Sequence, residues 1–344
     1  MIKKGYNTMN DNNGQNSIKQ RYANLDVIKG VCILMVVFTH YDWSDRQRLI
    51  LLFPFWIAMA VPVFMVITGY VSALSYNRTG SFDLKSAYKP TIIISKCLRY
   101  TIPFIPAFII GALAQVIGKH KGFSIIGLVL DFIKGGYGPG SYYFPIMIQL
   151  MFILPIVYYF IDKYETKGLI VCFVFTILFE LACKIINISD GFYRFLAFRY
   201  IFIASFGCYL YGTKCQRNKA YWVACLLGIV YIILFEYIGI RHIFINDAWD
   251  GTSVFAVLFI LPIVRFAIGK KDMTNKVLEL LGKASYNIFL VQMVYYLAAS
   301  EMYKYVAFVP LRIIINMVVC CLVGVVFYKI ENPITNKIIK KIRG

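Results

Sequence analysis

The sequence predicts an all-α integral membrane bundle of about ten transmembrane helices, with both termini on the cytoplasmic side. Three observations point there. Of 344 residues, 60% are hydrophobic and 15% charged, where a soluble domain carries about a quarter charged residues. Apolar runs of about 20 residues recur along most of the chain, the length a helix needs to cross the hydrocarbon core. Those runs are continuous rather than alternating, which argues against barrel strands of about ten residues.

Residues 1–21 are polar and Asn-rich, with Lys3, Lys4, Lys19 and Arg21, and read as a mobile cytoplasmic tail. Span 1 covers about 25–42, and the outer loop DWSDRQR follows. Span 2, about 50–75, holds Pro62 and Gly69, residues expected at a kink or a close helix contact. Span 3 begins after Pro90 and runs to about 117; Lys96 and Arg99 lie three apart in its first turns, on one face. The apolar piece FSIIGLVLDFI is too short to span comfortably and reads as interfacial or re-entrant. The glycines of GGYGPGS mark a turn rather than a phosphate loop, because no G-K-[ST] follows. Spans 4 to 10 are expected at about 142–161, 168–187, 199–213, 220–239, 250–268, 285–303 and 308–328. A basic loop, GKKDMTNKVLELLGK, precedes span 9. A membrane domain thus occupies 22–335, and a basic amphipathic tail, 336–344, closes the chain.

The formal charge is +19, from 36 Lys and Arg against 17 Asp and Glu. With the N-terminus inside, about 25 of the cations fall in or beside inner segments and about 11 outside, as the positive-inside rule asks. Making residues 125–134 an eleventh span would turn the basic loop and the basic C-terminus outward, so that topology is rejected. The charge therefore reads as membrane topology and weak attraction to anionic lipid, not nucleic-acid binding. The nine cysteines lie mostly in or beside apolar segments, none in a C-x-x-C pair, and the three histidines are scattered. No metal site and no disulfide framework is expected. No cleavable signal peptide is evident, because the first apolar run follows a polar tail and is long enough to span.

The stretch LDVIKGVCILMVVFTH, Leu25 to His40, organises the rest. On a helix, residues eleven apart are rotated by about 20° net and separated by roughly 16 Å. Lys29 and His40 therefore share one face, and Asp26 lies within about 60° of Lys29. Polar groups inside a lipid-bound helix usually face the bundle interior and mark a site. By position alone two readings stand for Asp26 and Lys29: a functional stripe, or interfacial residues that snorkel to water. His40 likewise reads as functional or as a satisfied structural histidine.

The ordered set NLDVIKGVCILMVVFTH, VPVFMVITGY and Lys96-x-x-Arg99 resembles membrane-bound acyltransferase family 3, bacterial enzymes that acylate sugars of surface glycans. The family's basic residue, ten residues, then histidine is Lys29 and His40 here. Its S-G-Y appears with Thr68 in place of serine, and its basic pair with lysine first. YFPIMIQLMFILPIVYY, GKASYNIFLVQ and YKIENPI resemble later motifs, so the match covers nearly all of 22–335. Two departures stand out: Gln292 replaces a common histidine, and the segment at Tyr142 to Phe144 lacks the usual tryptophan.

The resemblance implies transfer of an acyl group, most simply acetyl, from cytoplasmic acyl-CoA to a hydroxyl of a cell-surface polysaccharide or its lipid-linked precursor. It implies a multi-pass protein of the bacterial plasma membrane, with acyl-CoA as co-substrate and no tightly bound cofactor. His40 is the expected base, or alternatively the carrier of a transient acyl group. Lys29, Lys96 and Arg99 are the expected donor-phosphate ligands. Asp26 is expected to orient Lys29, and Tyr142 and Tyr143 to stack on the sugar. Glu331, in the closing motif, reads as structural. A transporter or flippase of a glycan or small molecule is the second reading, since kinked spans and a polar stripe permit it. A non-catalytic partner in glycan assembly is the third. The oligomeric state is not encoded legibly.

Overall fold

A computed structural model describes residues 11–77, 82–119, 124–240, 251–270 and 273–343. In chain order the helices are α1 (Asp11–Thr39), α2 (Asp45–Ile50), α3 (Ala60–Tyr76), α4 (Leu84–Ala87), α5 (Pro90–Lys119), α6 (Ile125–Ile133), α7 (Tyr143–Tyr164) and α8 (Thr166–Ile185). They continue with α9 (Asp190–Tyr193), α10 (Ile201–Gly212), α11 (Ala220–Ile232), α12 (Leu261–Gly269), α13 (Lys276–Lys283), α14 (Ser285–Tyr295), α15 (Ala299–Tyr303) and α16 (Val309–Arg343). Among the described residues there is no strand.

The ten segments expected as spans lie mostly on helix, interrupted by turns as at 56–59 and 296–298, and fewer than ten of the described helices reach the length of a span. Among the described residues six helical stretches are long and apolar enough to cross a membrane, or seven if α13 and α14, bent by 68° about Ala284, count as one span. The chain is a multi-pass membrane protein. Its outward faces are apolar, as at Ile109, Ile110 and Leu113 of α5 or Leu322, Val326 and Ile330 of α16, a pattern suited to lipid rather than water. Helix α10 is the instructive short case. Every residue from Ile201 to Leu210 is buried, so its apolar circumference faces protein, and it need not match the bilayer thickness.

Glycines set the closest contacts of this bundle. A Cβ on Gly69 of α3 would lie 1.9 Å from the Ala204 carbonyl oxygen of α10, and one on Gly207 would lie 2.0 Å from the Val66 oxygen. The two helices thus meet backbone to backbone, as small residues allow in membranes. Helices α1 and α13 meet the same way. A Cβ on Gly30 would sit 2.2 Å from the Leu278 oxygen, and one on Gly282 would sit 1.8 Å from the Asp26 oxygen. Half of the expected basic loop is therefore a helix. It starts where the Asn275 side chain accepts from the Val277 and Leu278 amides, and it is docked on α1.

Two terminal boundaries differ from expectation. Helix α1 begins at Asp11, inside the segment read as a tail; residues 1–10 lie outside the described residues. Helix α16 runs unbroken for 35 residues through Pro333 to Arg343, roughly 52 Å, so span 10 and the basic tail are one helix. The nine-residue α6 is apolar and too short to span. Arg78, His120, Lys121 and the segment 241–250 lie outside the described residues.

Candidate active site

One cavity of about 630 Å³ runs alongside α1. Lys29, Ile33, Val36 and His40 all line it. Their spacing of four, three and four residues is one helical face. The stripe is polar at its two ends and apolar between them. Phe64 and Ile67 of α3, Tyr100 of α5 and Phe289 of α14 complete the apolar middle.

The Lys29 end is cationic. Lys29 forms an ion pair with Asp26 at 2.6 Å; Asp26 itself does not line the cavity, so it acts on Lys29 from behind. Arg99 and Lys283 join Lys29 in the lining. Lys283 arrives there because Gly282 lets α13 press against α1. One lining acid, Glu331, faces these cations. It accepts from Asn287 Nδ2 at 3.1 Å and from the Thr335 hydroxyl, so it is held by Asn287 of α14. Lys96 is not part of this end. Its Nζ lies 3.9 Å from the centre of the Tyr76 ring on α3, and it does not line the cavity. The expected Lys96–Arg99 pair is thus split between two environments.

The His40 end is built by the glycine turn and α14. Gly135, Gly136, Gly138 and Gly140 all have φ between +80° and +95°, a region open to glycine and strained for other residues. Gly140 passes beside His40; a Cβ there would lie 3.7 Å from Nε2 and 2.8 Å from the Phe289 ring. Gln292, fully buried, donates from Nε2 to the Pro139 carbonyl at 3.0 Å and so pins the turn to α14. That contact gives Gln292 a structural role beside the turn. Tyr296 donates to the Val37 carbonyl at 2.9 Å, and its ring stands edge-on to His40 at 6.1 Å. Among the described residues no hydrogen bond engages the His40 imidazole, which leaves its nitrogens open to a ligand.

The two tyrosines separate. Tyr142 lies under the Arg194 guanidinium, 5.4 Å from ring centre to Cζ. Tyr143 opens α7 and packs on Phe289 at 5.1 Å, deeper in the wall. Thr68, in the serine position of the motif, lines the cavity with its hydroxyl donated back to the Phe64 carbonyl at 2.8 Å. Lys283 and Arg194 were not among the expected site residues. Their only sequence signal is a basic residue two positions before the S-Y pair and an arginine in an aromatic loop.

If Gln292 positions the turn, Gln292→Leu should lower acyl transfer about tenfold, the scale of one lost buried hydrogen bond. Membrane abundance should stay near that of the parent. Unchanged transfer, read as labelled product, would show that the turn holds itself.

Fold and cavity together define a helical multi-pass membrane protein with one elongated, two-ended site in its core. The profile of acyltransferase family 3, described as an acyltransferase domain, matches residues 22–329, and the chain belongs to this family of membrane acyltransferases. Comparison with curated proteins and with solved structures returned no match.

Proposed function

We propose that the protein transfers an acyl group, most simply acetyl, from cytoplasmic acyl-CoA to a hydroxyl of a surface polysaccharide or its lipid-linked precursor, in a bacterial plasma membrane. The observation that carries this reading is the single cavity joining Lys29, Arg99 and Lys283 to His40. A phosphorylated donor suits the cationic end, where guanidinium and ammonium groups bind phosphate by charge-assisted hydrogen bonds. Its flexible acyl-bearing arm suits the apolar middle. The acyl carbonyl then reaches His40, on the far side of the membrane from the donor's headgroup.

In this scheme His40 takes the proton of the acceptor hydroxyl as the oxygen bonds to the thioester carbonyl carbon. The tetrahedral intermediate collapses, the C–S bond breaks, and the leaving thiolate recovers the proton from the imidazolium. Asp26 holds Lys29 in place, and Tyr142 and Tyr143 offer ring faces to the sugar.

The test is the O-acyl content of the host's surface polysaccharide by proton NMR, in a deletion strain carrying either the parent gene or His40→Ala at equal membrane abundance. Loss of one acyl signal in the deletion and the variant, restored by the parent gene, is the expected result. An acyl pattern unchanged by deletion would put transport of a glycan or small molecule ahead of acylation. The two basic residues of span 3 provide a second check. Arg99→Gln should raise the donor KM about tenfold or more, and by a wider margin than Lys96→Met. Equal effects would remove the assignment of donor binding to the cavity-lining member of the pair.

A further inference from the structure

We propose that the acceptor is anionic, and that Arg194 binds its carboxylate or phosphate group at the His40 end of the cavity. This rests on the acyl-transfer reading and narrows its acceptor.

Arg194 directly follows α9, in the segment that joins α8 to α10. It lines the cavity together with Tyr142. Its Cζ sits over the rings of Tyr142 and Phe195, 5.4 Å and 5.7 Å from their centres. Its Nε is buried without a hydrogen-bond partner, and among the described residues it has no ion pair. Among the described residues the one acid lining the cavity, Glu331, is engaged at the opposite end by Asn287 and Thr335.

The segment carrying Arg194 is held. Gln149 of α7 donates to the Phe195 carbonyl at 2.7 Å and accepts from the Ala197 amide at 3.1 Å. The nearby Arg199 is used differently, with Nη2 donating to the Thr252 hydroxyl at 2.6 Å. Arg194 is therefore a fixed, half-buried cation presented to the same space as the imidazole.

A guanidinium withdrawn from water needs compensation that two ring faces supply only in part. An oxyanion supplies the rest, because the planar fork of donors matches carboxylate and phosphate geometry. A neutral sugar offers hydroxyls and leaves the charge unpaired. A site built this way discriminates against the uncharged analogue through its own unsatisfied group. Two acceptors share the required chemistry: a sugar bearing a carboxylate, and a glycan bearing phosphate.

The full-length protein in lipid nanodiscs is offered glucose, glucuronate and glucose 6-phosphate as probes. Two readouts run in parallel: the shift in melting temperature on binding, and transfer of label from radiolabelled acetyl-CoA. One of the anionic sugars should act at concentrations about tenfold or more below glucose, and the more effective of the two identifies the group. Arg194→Gln should collapse that ratio, and Arg194→Lys should keep part of it. Melting without ligand checks that both variants are folded. Equal action of all three sugars, no sugar shifting the melting temperature, or an anion preference that survives in Arg194→Gln would overturn the proposal. The two readings fail separately. Label transferred equally to glucose sinks the anionic acceptor and spares the transferase. An anion-selective, Arg194-dependent melting shift with no label transfer supports the Arg194 site and sinks the transferase.

Discussion

Replacing His40 with alanine is expected to lower acyl transfer by about 10²–10⁴-fold, the range for loss of a general base, with little change in stability. Both halves follow from the geometry. His40 is the imidazole lining the cavity, at the end opposite the cations, and no other described lining residue is a histidine. Among the described residues it makes no hydrogen bond, so its removal strands no buried partner, the usual source of large destabilisation. What is lost in packing includes the edge contact with the Tyr296 ring and the approach of Gly140. A structural histidine would give the reverse pattern: a lower melting temperature and activity reduced only in proportion to folded protein. Incubating the parent protein with labelled acetyl-CoA and no acceptor then asks how His40 acts. Label retained on the parent protein and absent from His40→Ala would mean a covalent acyl-histidine. No label on either would leave direct transfer with His40 as base. Transfer within threefold of the parent in both His40→Ala and His40→Gln would end the catalytic assignment.

The parts of the site that follow from a single helix were legible in the sequence. Lys29, Ile33, Val36 and His40 needed only the helical period to be placed on one face, and the Asp26–Lys29 pair needed only a spacing of three. What depended on tertiary packing was not. Lys96 and Arg99 satisfy the same spacing rule, but they are separated because the Tyr76 ring on another helix offers Lys96 a cation–π partner. Lys283 reaches the cavity only through the docking of α13 on α1. Nothing local distinguishes the residues 276–283 from a charged loop except an Asn cap and one amphipathic repeat. Span 6, expected at about 199–213, matches α10 and the turn before it, but its burial in protein was not legible, because hydrophobicity reports removal from water and does not say whether protein or lipid did the removing. Gln292 shows a reading completed rather than corrected. Sequence withheld an imidazole from that position, and the structure supplies the reason, a hydrogen bond that holds the turn beside His40.

Gly282→Ala is expected to be as damaging as many core truncations, although it adds a single methyl group. The new Cβ would stand 1.8 Å from the Asp26 carbonyl oxygen, 2.6 Å from its carbon and 2.9 Å from its Cα. All three are backbone atoms of a helix, so no rotamer change relieves the overlap and α13 must move away from α1 by more than an ångström. Overpacking of this kind costs about 1–3 kcal/mol in other folds. Here the displacement also has a functional direction. It parts Lys283 from Lys29 and strains the 68° bend into α14, which carries Asn287 and Gln292. The variant should therefore show a lower melting temperature in detergent and, in the fraction that remains folded, a donor KM raised by about tenfold, the worth of one charge-assisted contact. Gly207→Ala meets an equally hard obstacle, the Val66 oxygen at 2.0 Å, but on the α3–α10 contact, where it should reduce stability with less effect on donor KM. Gly212→Ala meets nothing within 4 Å and should stay within about 0.5 kcal/mol of the parent. If Gly282→Ala melts and binds donor like Gly212→Ala, the helix contact that delivers Lys283 to the cavity is not as the structure has it. The cationic end would then reduce to Lys29 and Arg99.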